Sequence, residues 1–161
     1  MCSSDLYLTV EDDTAATPTE APDAVTQSEV DSIWVEVKKL FQELGFSADQ
    51  LEFEFEVVDL GETDPNESNV VARYVPGEGG SPDRIQIDDD AAGFGWYTGT
   101  GDPATEGASK IDLFSALAHE VGHALGLDHS GRDGDLMFSE ISPGERQVNL
   151  TLNSVLDRIL A

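Results

Sequence analysis

The sequence predicts an α+β fold, because different stretches of the chain carry the periodicity of helices and of strands. An amphipathic helical pattern begins near residue 26, and a strand-like alternation follows between residues 51 and 57. A histidine motif with helical spacing lies further along, near residue 120. The predicted order is therefore a long helix, then strands, then a helix that carries the histidines.

A long amphipathic helix is predicted after residue 25. Thr26 and Glu29 have the spacing of a capping box, in which each side chain bonds the backbone amide of the other residue. The apolar pattern ends at Gly45, a residue type common at helix C-termini. The stripe expected to face the core consists of Val30, Ile33, Trp34, Val37, Leu40, Phe41 and Leu44.

Apolar and acidic residues alternate in the next segment, which predicts a strand buried on one face. The apolar positions are Leu51, Phe53, Phe55 and Val57, and the acidic ones are Glu52, Glu54 and Glu56. One more amphipathic helix is predicted at the end of the chain. Its apolar positions are Leu152, Val155, Leu156, Ile159 and Leu160.

All three histidines of the chain lie in one H-E-x-x-H-x-x-G-x-x-H motif. Residues four positions apart share a helix face, so His119 and His123 direct their imidazoles toward one point. Gly126 permits a turn with positive φ that brings His129 back as a third ligand. Three ligands and one open position are typical of a catalytic zinc site.

Glu120 is assigned the role of general base and is not counted as a ligand. Zinc lowers the pKa of a bound water to about 7, which makes a nucleophile available at neutral pH. A carboxylate beside that water can accept its proton and pass it to the leaving amine. A site that holds zinc without cleaving anything is the alternative, although a purely structural site has no use for the acid.

The helix that carries the histidines is predicted to begin near Ile111. Ser109 and Asp112 have the spacing of a capping box, and an apolar stripe follows at helical spacing. Gly122 is an exception within this helix, because glycine there costs about 1 kcal/mol against alanine. Its presence indicates that another backbone passes close by.

With this motif the chain resembles the metzincin metalloproteases, and most closely the matrixins. Ser130, after the third histidine, is similar to the matrixin version, and residues 135–138 resemble the family's Met-turn. The resemblance implies that Met137 lies beneath the zinc; an ordinary buried methionine is the alternative. Ser139 replaces a tyrosine found in other metzincin branches, which favours the matrixin-like branch. The fold implied is zincin-like, with a twisted mixed sheet, a long N-terminal helix, the zinc helix, the Met-turn and a C-terminal helix.

The resemblance extends upstream, over residues 69–138. It implies that residues 70–75 form an edge strand that pairs with an extended substrate, and that residues 84–88 form the next strand. The substrate-pairing residues would be Val70, Val71, Ala72, Arg73 and Tyr74. An ordinary edge strand without a ligand is the alternative. Residues 85–96 also resemble matrixin-like domains of large bacterial surface and secreted proteins.

Matrixins carry a structural zinc and calcium ions as well. A second zinc is not expected, because the chain has no further histidines and Glu62 and Asp64 stand where that loop would be. Calcium prefers hard oxygen ligands, and a solvated acidic cluster is the alternative in so acidic a chain. The candidate calcium ligands are Asp88, Asp89, Asp90 and Asp102.

The domain organisation is predicted from composition. Residues 1–12 are interpreted as the remnant of a preceding segment or an artefact, residues 13–24 as a linker that contains prolines, and residues 25–161 as one metzincin-like catalytic domain. The 33 acidic and 8 basic residues give a net charge of -25, which excludes nucleic acid as a natural partner. No apolar run is long enough to span a bilayer.

The sequence thus predicts a zinc-dependent endopeptidase that hydrolyses extended polypeptides through a zinc-bound water activated by Glu120. One catalytic zinc and calcium are the expected cofactors. A secreted or cell-surface location and a prokaryotic source are expected, with the domain monomeric within a longer chain. The alternative is a zinc- and calcium-binding module of a large adhesive surface protein that cuts only itself or nothing.

Overall fold

A computed structural model describes residues 7–10, 24–60 and 69–148. The helices are Gln27–Glu43 (α1), Pro103–Glu106 (α2) and Leu113–Ala124 (α3), with a 3-10 turn at Ala48–Leu51. The strands are Tyr7–Val10 (β1), Glu54–Val58 (β2), Val70–Val75 (β3), Arg84–Asp88 (β4), Trp96–Tyr97 (β5), Ile111–Asp112 (β6) and Glu140–Ile141 (β7). The predicted C-terminal helix and residues 13–23 of the predicted linker lie outside the described residues.

Five strands form one mixed sheet in the order β2-β4-β3-β1-β7. Strand β2 runs parallel to β4, β3 runs antiparallel to both β4 and β1, and β1 runs parallel to β7. Strands β5 and β6 form a separate parallel pair. Helix α3 packs against β3 and against α1, so the mixed α+β arrangement predicted from the sequence is confirmed.

Helix α1 forms as the sequence predicts. The backbone amide of Glu29 donates to Thr26 Oγ1 at 3.2 Å, and that of Thr26 donates to Glu29 Oε2 at 2.8 Å. The helix ends before Gly45, which has a φ of 103°. The buried side chains of the predicted stripe are Val30, Ile33, Val37 and Phe41.

The strand predicted over residues 51–57 begins later than expected. Leu51 belongs to a 3-10 turn, because Gln50 Oε1 accepts the amide of Ser47 and closes that turn. Phe55 lies in β2 and is only half-buried, with its ring 4.9 Å from that of Trp34. The alternation therefore predicts the strand correctly but places its start three residues too early.

Helix α3 begins at Leu113 and not near Ile111. The N-cap is Asp112, whose carboxylate accepts the amide of Ser115 at 3.2 Å and its hydroxyl at 2.7 Å. The predicted capping box starting at Ser109 is therefore wrong. Ile111 and Asp112 are extended because they pair with β5, a long-range contact that local spacing does not reveal.

Strand β3 is not an edge strand in the described part of the chain, which corrects the expectation for residues 70–75. Residues 7–10, interpreted as a remnant or artefact before the domain, form β1 on the side of β3 opposite β4. The sheet thus includes residues that precede the predicted domain start. Among the described residues, no helix is long and apolar enough to cross a membrane.

Candidate metal centre

The three histidines converge on one point. His123 Nε2 lies 3.0 Å from both His119 Nε2 and His129 Nε2, and the latter two atoms are 3.2 Å apart. A tetrahedral zinc ion with bonds of about 2.0–2.1 Å would hold such nitrogens about 3.3 Å apart. Three ring nitrogens at this separation therefore fit one zinc ion.

Backbone carbonyls fix the orientation of two of these rings. His119 Nδ1 lies 2.8 Å from the carbonyl oxygen of Leu136, and His123 Nδ1 lies 2.9 Å from that of Leu127. A proton on each Nδ1 leaves Nε2 with its lone pair, which is the tautomer that binds a metal. Burial, and then the neighbouring imidazole, lowers the pKa of His119 well below its usual value and that of His123 to about 4.

Gly126 ends the helix and turns the chain back, as predicted. Its φ is 91°, in the left-handed region that favours glycine. Its amide donates to the carbonyl of His123, and the amide of Leu127 donates to that of Gly122, each at 2.9 Å. These two bonds form a Schellman motif, which directs the chain toward the position of His129.

Glu120 is fully buried beside the histidines. Burial raises its pKa well above the usual value, and the nearby backbone amides of Leu8 and Tyr74 oppose that rise. Neither amide makes a hydrogen bond of ordinary geometry, so both carboxylate oxygens lack a partner among the described residues. A buried carboxylate without a partner is costly, which points to a ligand, water or substrate as its partner.

Met137 lies in a tight turn against the zinc helix. Its amide donates to Asp135 Oδ1 at 3.0 Å, and its carbonyl accepts the amide of Ser130 at 2.7 Å. A Cβ added at Gly122 would lie 2.5 Å from Met137 Sδ. The close neighbour of Gly122 is thus a side chain, which corrects the expectation of a backbone. The role of Met137 as a floor beneath zinc remains a prediction.

Arg146 is a site-supporting residue that the sequence did not identify. It donates from Nε and Nη2 to the Asp112 carboxylate, each at 2.9 Å, and from Nη1 to the carbonyl of Gly101 at 2.9 Å. This ion pair raises the pKa of Arg146 and fixes the N-cap of α3. The two residues are 34 positions apart, so no local pattern reveals the contact.

The predicted calcium ligands are only partly brought together. In the part of the chain that the structure describes, one group of three carboxylates lies close together, and it consists of Asp59, Asp88 and Asp89. Asp90 is not part of this group, although its carboxylate is a neighbour of Asp88 and accepts the amide of Gly93. Asp102 caps α2 and is not part of it either. Glu62 and Asp64 lie outside the described residues. Calcium binding by these carboxylates stays a prediction.

Comparison with known proteins identifies one family. The Matrixin family model matches residues 3–156. Among similar curated proteins, Metalloendoproteinase 2-MMP of Arabidopsis thaliana is 43% identical over 47 residues, which are 29% of this chain and 12% of that protein. Metalloendoproteinase 1-MMP of the same plant is 38% identical over 56 residues, or 34% and 15% of the two chains.

Metalloendoproteinase 1 of Glycine max is 43% identical over 47 residues, 29% of this chain and 15% of its own length. Each match thus covers a small part of its relative. These relatives are plant proteins, so they lend no support to the predicted prokaryotic source.

Proposed function

This chain belongs to the matrixin family of metzincin proteins, and we propose that it is a zinc-dependent endopeptidase. The observation that carries the proposal is the convergence of three imidazole nitrogens within 3.2 Å beside a fully buried carboxylate. A structural zinc site needs the nitrogens but not the unpartnered carboxylate of Glu120. A hydrolytic site needs both.

The histidines would hold the metal and Glu120 would move the proton. Zinc bound by His119, His123 and His129 supplies a Lewis acid that activates water and polarises a peptide carbonyl. Glu120 accepts a proton from the attacking water and delivers it to the leaving amine. Its raised pKa suits a group that must hold the proton between these two transfers.

The substrate we infer is a polypeptide in extended form. Strand β3 packs against the zinc helix, and the amide of its Tyr74 lies near Glu120. Because β3 is paired with β4 on one side and with β1 on the other, a substrate backbone would pair with residues 70–74 only in place of β1, and its main-chain hydrogen bonds would form whatever its side chains. This mode of binding predicts broad sequence tolerance away from the cleaved bond.

We infer that the protein works outside the cell, as a monomeric domain within a longer chain. The net charge of -25 supports this setting, because salty or calcium-rich water screens the self-repulsion of such a surface. Immunoblots of cells and of culture medium test the location. Signal confined to cells would contradict it.

The direct test compares Glu120→Gln with wild type, using zinc-loaded protein and quenched-fluorescence peptides or casein. We expect the substitution to lower kcat by about 10²–10⁴-fold, the usual contribution of a general acid–base. Zinc content should stay unchanged, because Glu120 is not a ligand. Glu36→Gln, at a solvent-accessible position on α1, is the matched control and should retain wild-type activity.

Two results would contradict the proposal. Cleavage that survives Glu120→Gln would show that another protease is responsible. Absence of cleavage by zinc-loaded wild type would instead favour a zinc-holding module without proteolytic activity.

A further inference from the structure

Asp135 carries a buried carboxylate that the proposed reaction does not use. The residue lies in the turn that leads to Met137, and only 4% of its surface is exposed. Its Oδ1 accepts the amide of Met137 at 3.0 Å. Its Oδ2 is buried and has no hydrogen-bond partner among the described residues. A neutral serine or asparagine oxygen can accept one amide in such a turn, so the turn alone does not account for a buried charge.

One peptide group connects Asp135 to a histidine of the metal centre. The amide N–H of Met137 and the carbonyl of Leu136 belong to the same peptide group. Asp135 accepts the N–H of this group, and His119 Nδ1 lies 2.8 Å from its carbonyl oxygen. The contacts therefore run from carboxylate to peptide to imidazole. The other ring nitrogen of His119 is the Nε2 that faces His123 and His129.

A carboxylate at one end of this chain of hydrogen bonds strengthens the bond at the other end. Hydrogen bonds in a chain polarise one another, and their electrostatic strength is greater where water is excluded. Leu136 and Met137 are completely buried, and His119 is 1% exposed. Negative charge beside the N–H makes the Leu136 carbonyl a better acceptor for the Nδ1 proton. An imidazole that donates a stronger bond from Nδ1 is a more basic metal ligand at Nε2.

The positions of the unpartnered polar atoms point to the same centre. Within the part of the chain that the structure describes, three buried side-chain polar atoms lack a hydrogen-bond partner. Two are the carboxylate oxygens of Glu120, and the third is Asp135 Oδ2. Glu120 follows His119 in the sequence, and Asp135 reaches His119 through one peptide group. Because neutral imidazoles bring no negative charge to a zinc dication, a fixed carboxylate nearby stabilises the bound metal.

We propose that Asp135 is a positioning residue for His119, which acts through the peptide group between Leu136 and Met137. Its carboxylate holds His119 in the tautomer that binds a metal and increases the affinity of the site for zinc. This inference rests on the proposed function and names a residue that supports the same site. The backbone around Asp135 is itself fixed, because its carbonyl accepts the amide of Phe138 at 3.0 Å.

Two variants and a matched control test the inference. Asp135→Ala removes the carboxylate, whereas Asp135→Asn keeps an oxygen that can accept the amide of Met137 but removes the charge. Asp102→Ala is the control, because Asp102 Oδ1 also accepts the amide two positions ahead, that of Ala104, at 3.0 Å. That bond lies at the start of α2, outside the histidine cluster. Near-ultraviolet circular dichroism checks that each variant folds.

The first readout is zinc affinity, measured by competition with a chromogenic chelator. We expect Asp135→Ala to weaken zinc binding by about 10–100-fold, the usual effect of removing an outer-shell partner. Asp135→Asn should lie between Asp135→Ala and wild type, and Asp102→Ala should bind zinc as wild type does. Wild-type affinity in Asp135→Ala, or an equal loss in Asp102→Ala, would overturn the inference.

The second readout is the nuclear magnetic resonance signal of the His119 Nδ1 proton, in zinc-loaded and in metal-depleted protein. The signal should move upfield in Asp135→Ala, and by less in Asp135→Asn, because its hydrogen bond weakens. His123 is the internal control, since its Nδ1 bonds the carbonyl of Leu127. A residue that only stabilises the fold would move both signals or neither, and either result would overturn the inference.

The two readouts do not depend on cleavage. The expected losses and shifts without casein hydrolysis by any form would leave the inference standing and overturn the proposed function. Hydrolysis by wild type together with an unmoved His119 signal in both Asp135 variants would overturn the inference alone. If Asp135→Ala fails to fold, the His119 signal in Asp135→Asn decides, and an unmoved signal there overturns the inference.

Discussion

Within residues 7–10, 24–60 and 69–148, two clusters of candidate metal ligands differ in how their polar atoms are used. In the histidine cluster, carbonyls engage Nδ1 of His119 and His123, and the Nε2 atoms face one another. In the aspartate cluster, Asp88 uses Oδ1 to accept the amide of Leu60 and Oδ2 to accept that of Ala92. His119 and His123 therefore keep their Nε2 atoms for a ligand, whereas Asp88 uses both of its oxygens on the backbone.

This difference shows that proximity alone does not define a metal site. The Asp88 carboxylate stabilises the turn after β4, where Ala91 and Ala92 have positive φ values of 54° and 56°. Such conformations are unfavourable for residues with a Cβ, so the turn needs fixed partners. A cation at Asp88 would compete with these backbone bonds, whereas the carbonyl partners of His119 and His123 lie at Nδ1 and leave Nε2 for zinc.

The largest predicted effect is the loss of zinc affinity in His123→Ala. Removing a direct ligand should weaken binding by more than the roughly 10–100-fold that the loss of an outer-shell partner causes. Asp89→Asn, in the other cluster, is the control and should leave zinc affinity unchanged. Competition titration with a chromogenic chelator measures both. An equal loss of zinc affinity in the two variants would contradict the assignment of zinc to the histidine cluster.

The next largest effect is the rise in Tm that zinc causes, compared with the rise that calcium causes. Zinc at 100 to 1,000 times its Kd should stabilise the metal-depleted protein by about 3–4 kcal/mol. For a chain of this size that raises Tm by about 10 °C. Calcium should raise Tm by less, because two carboxylate oxygens of Asp88 already have partners. A calcium shift larger than the zinc shift, measured by calorimetry, would reverse the comparison.

A smaller effect concerns the turn that positions His129. Gly126→Ala and Gly45→Ala each force a residue with a Cβ into a φ near 90–100° after a helix. Each should lower the free energy of unfolding by about 1–2 kcal/mol. Only Gly126→Ala should also weaken zinc binding, because Gly45 lies at the end of α1. Urea unfolding and zinc titration of both variants separate backbone strain from loss of ligand geometry.

The smallest predicted effect is a pH dependence of the free energy of unfolding, caused by Asp88 in the aspartate cluster. Burial, the largest cause, raises the pKa of Asp88 to about 6. The folded state then binds the proton more tightly than the unfolded state. The contribution of this proton to the free energy of unfolding is therefore complete below pH 4 and falls as pH rises toward 6. The loss is on the order of 2–3 kcal/mol.

Asp88→Asn should flatten the stability curve of metal-free protein in this range, even if the variant is less stable overall. Urea unfolding at several pH values checks the slope. An unchanged slope would show that Asp88 does not titrate there.

Much of the metal centre could be predicted from the sequence because its geometry is local. The spacing of His119, His123 and Gly126 within one helix and its C-terminal turn fixes where the rings point. The capping box of α1 is equally local, and it formed as predicted. Each of these features depends on residues within ten positions of one another.

The features that the sequence did not reveal depend on distant partners. Asp112 caps α3 because β5 and Arg146 hold it in place. The pairing of β1 with β3 joins Leu8 to Ala72, and the order of strands follows from such pairings, not from local periodicity. For the same reason, which aspartates would share a site could not be read from their order along the chain.

The most direct test of the account is X-ray absorption spectroscopy of the zinc-loaded protein. We infer that His119, His123 and His129 bind one zinc ion and leave one position for water. The spectrum should show three nitrogen neighbours and one oxygen neighbour at about 2.0–2.1 Å, with the outer scattering of imidazole rings. A shell made only of oxygen atoms, without imidazole scattering, would place the metal at carboxylates and contradict the account.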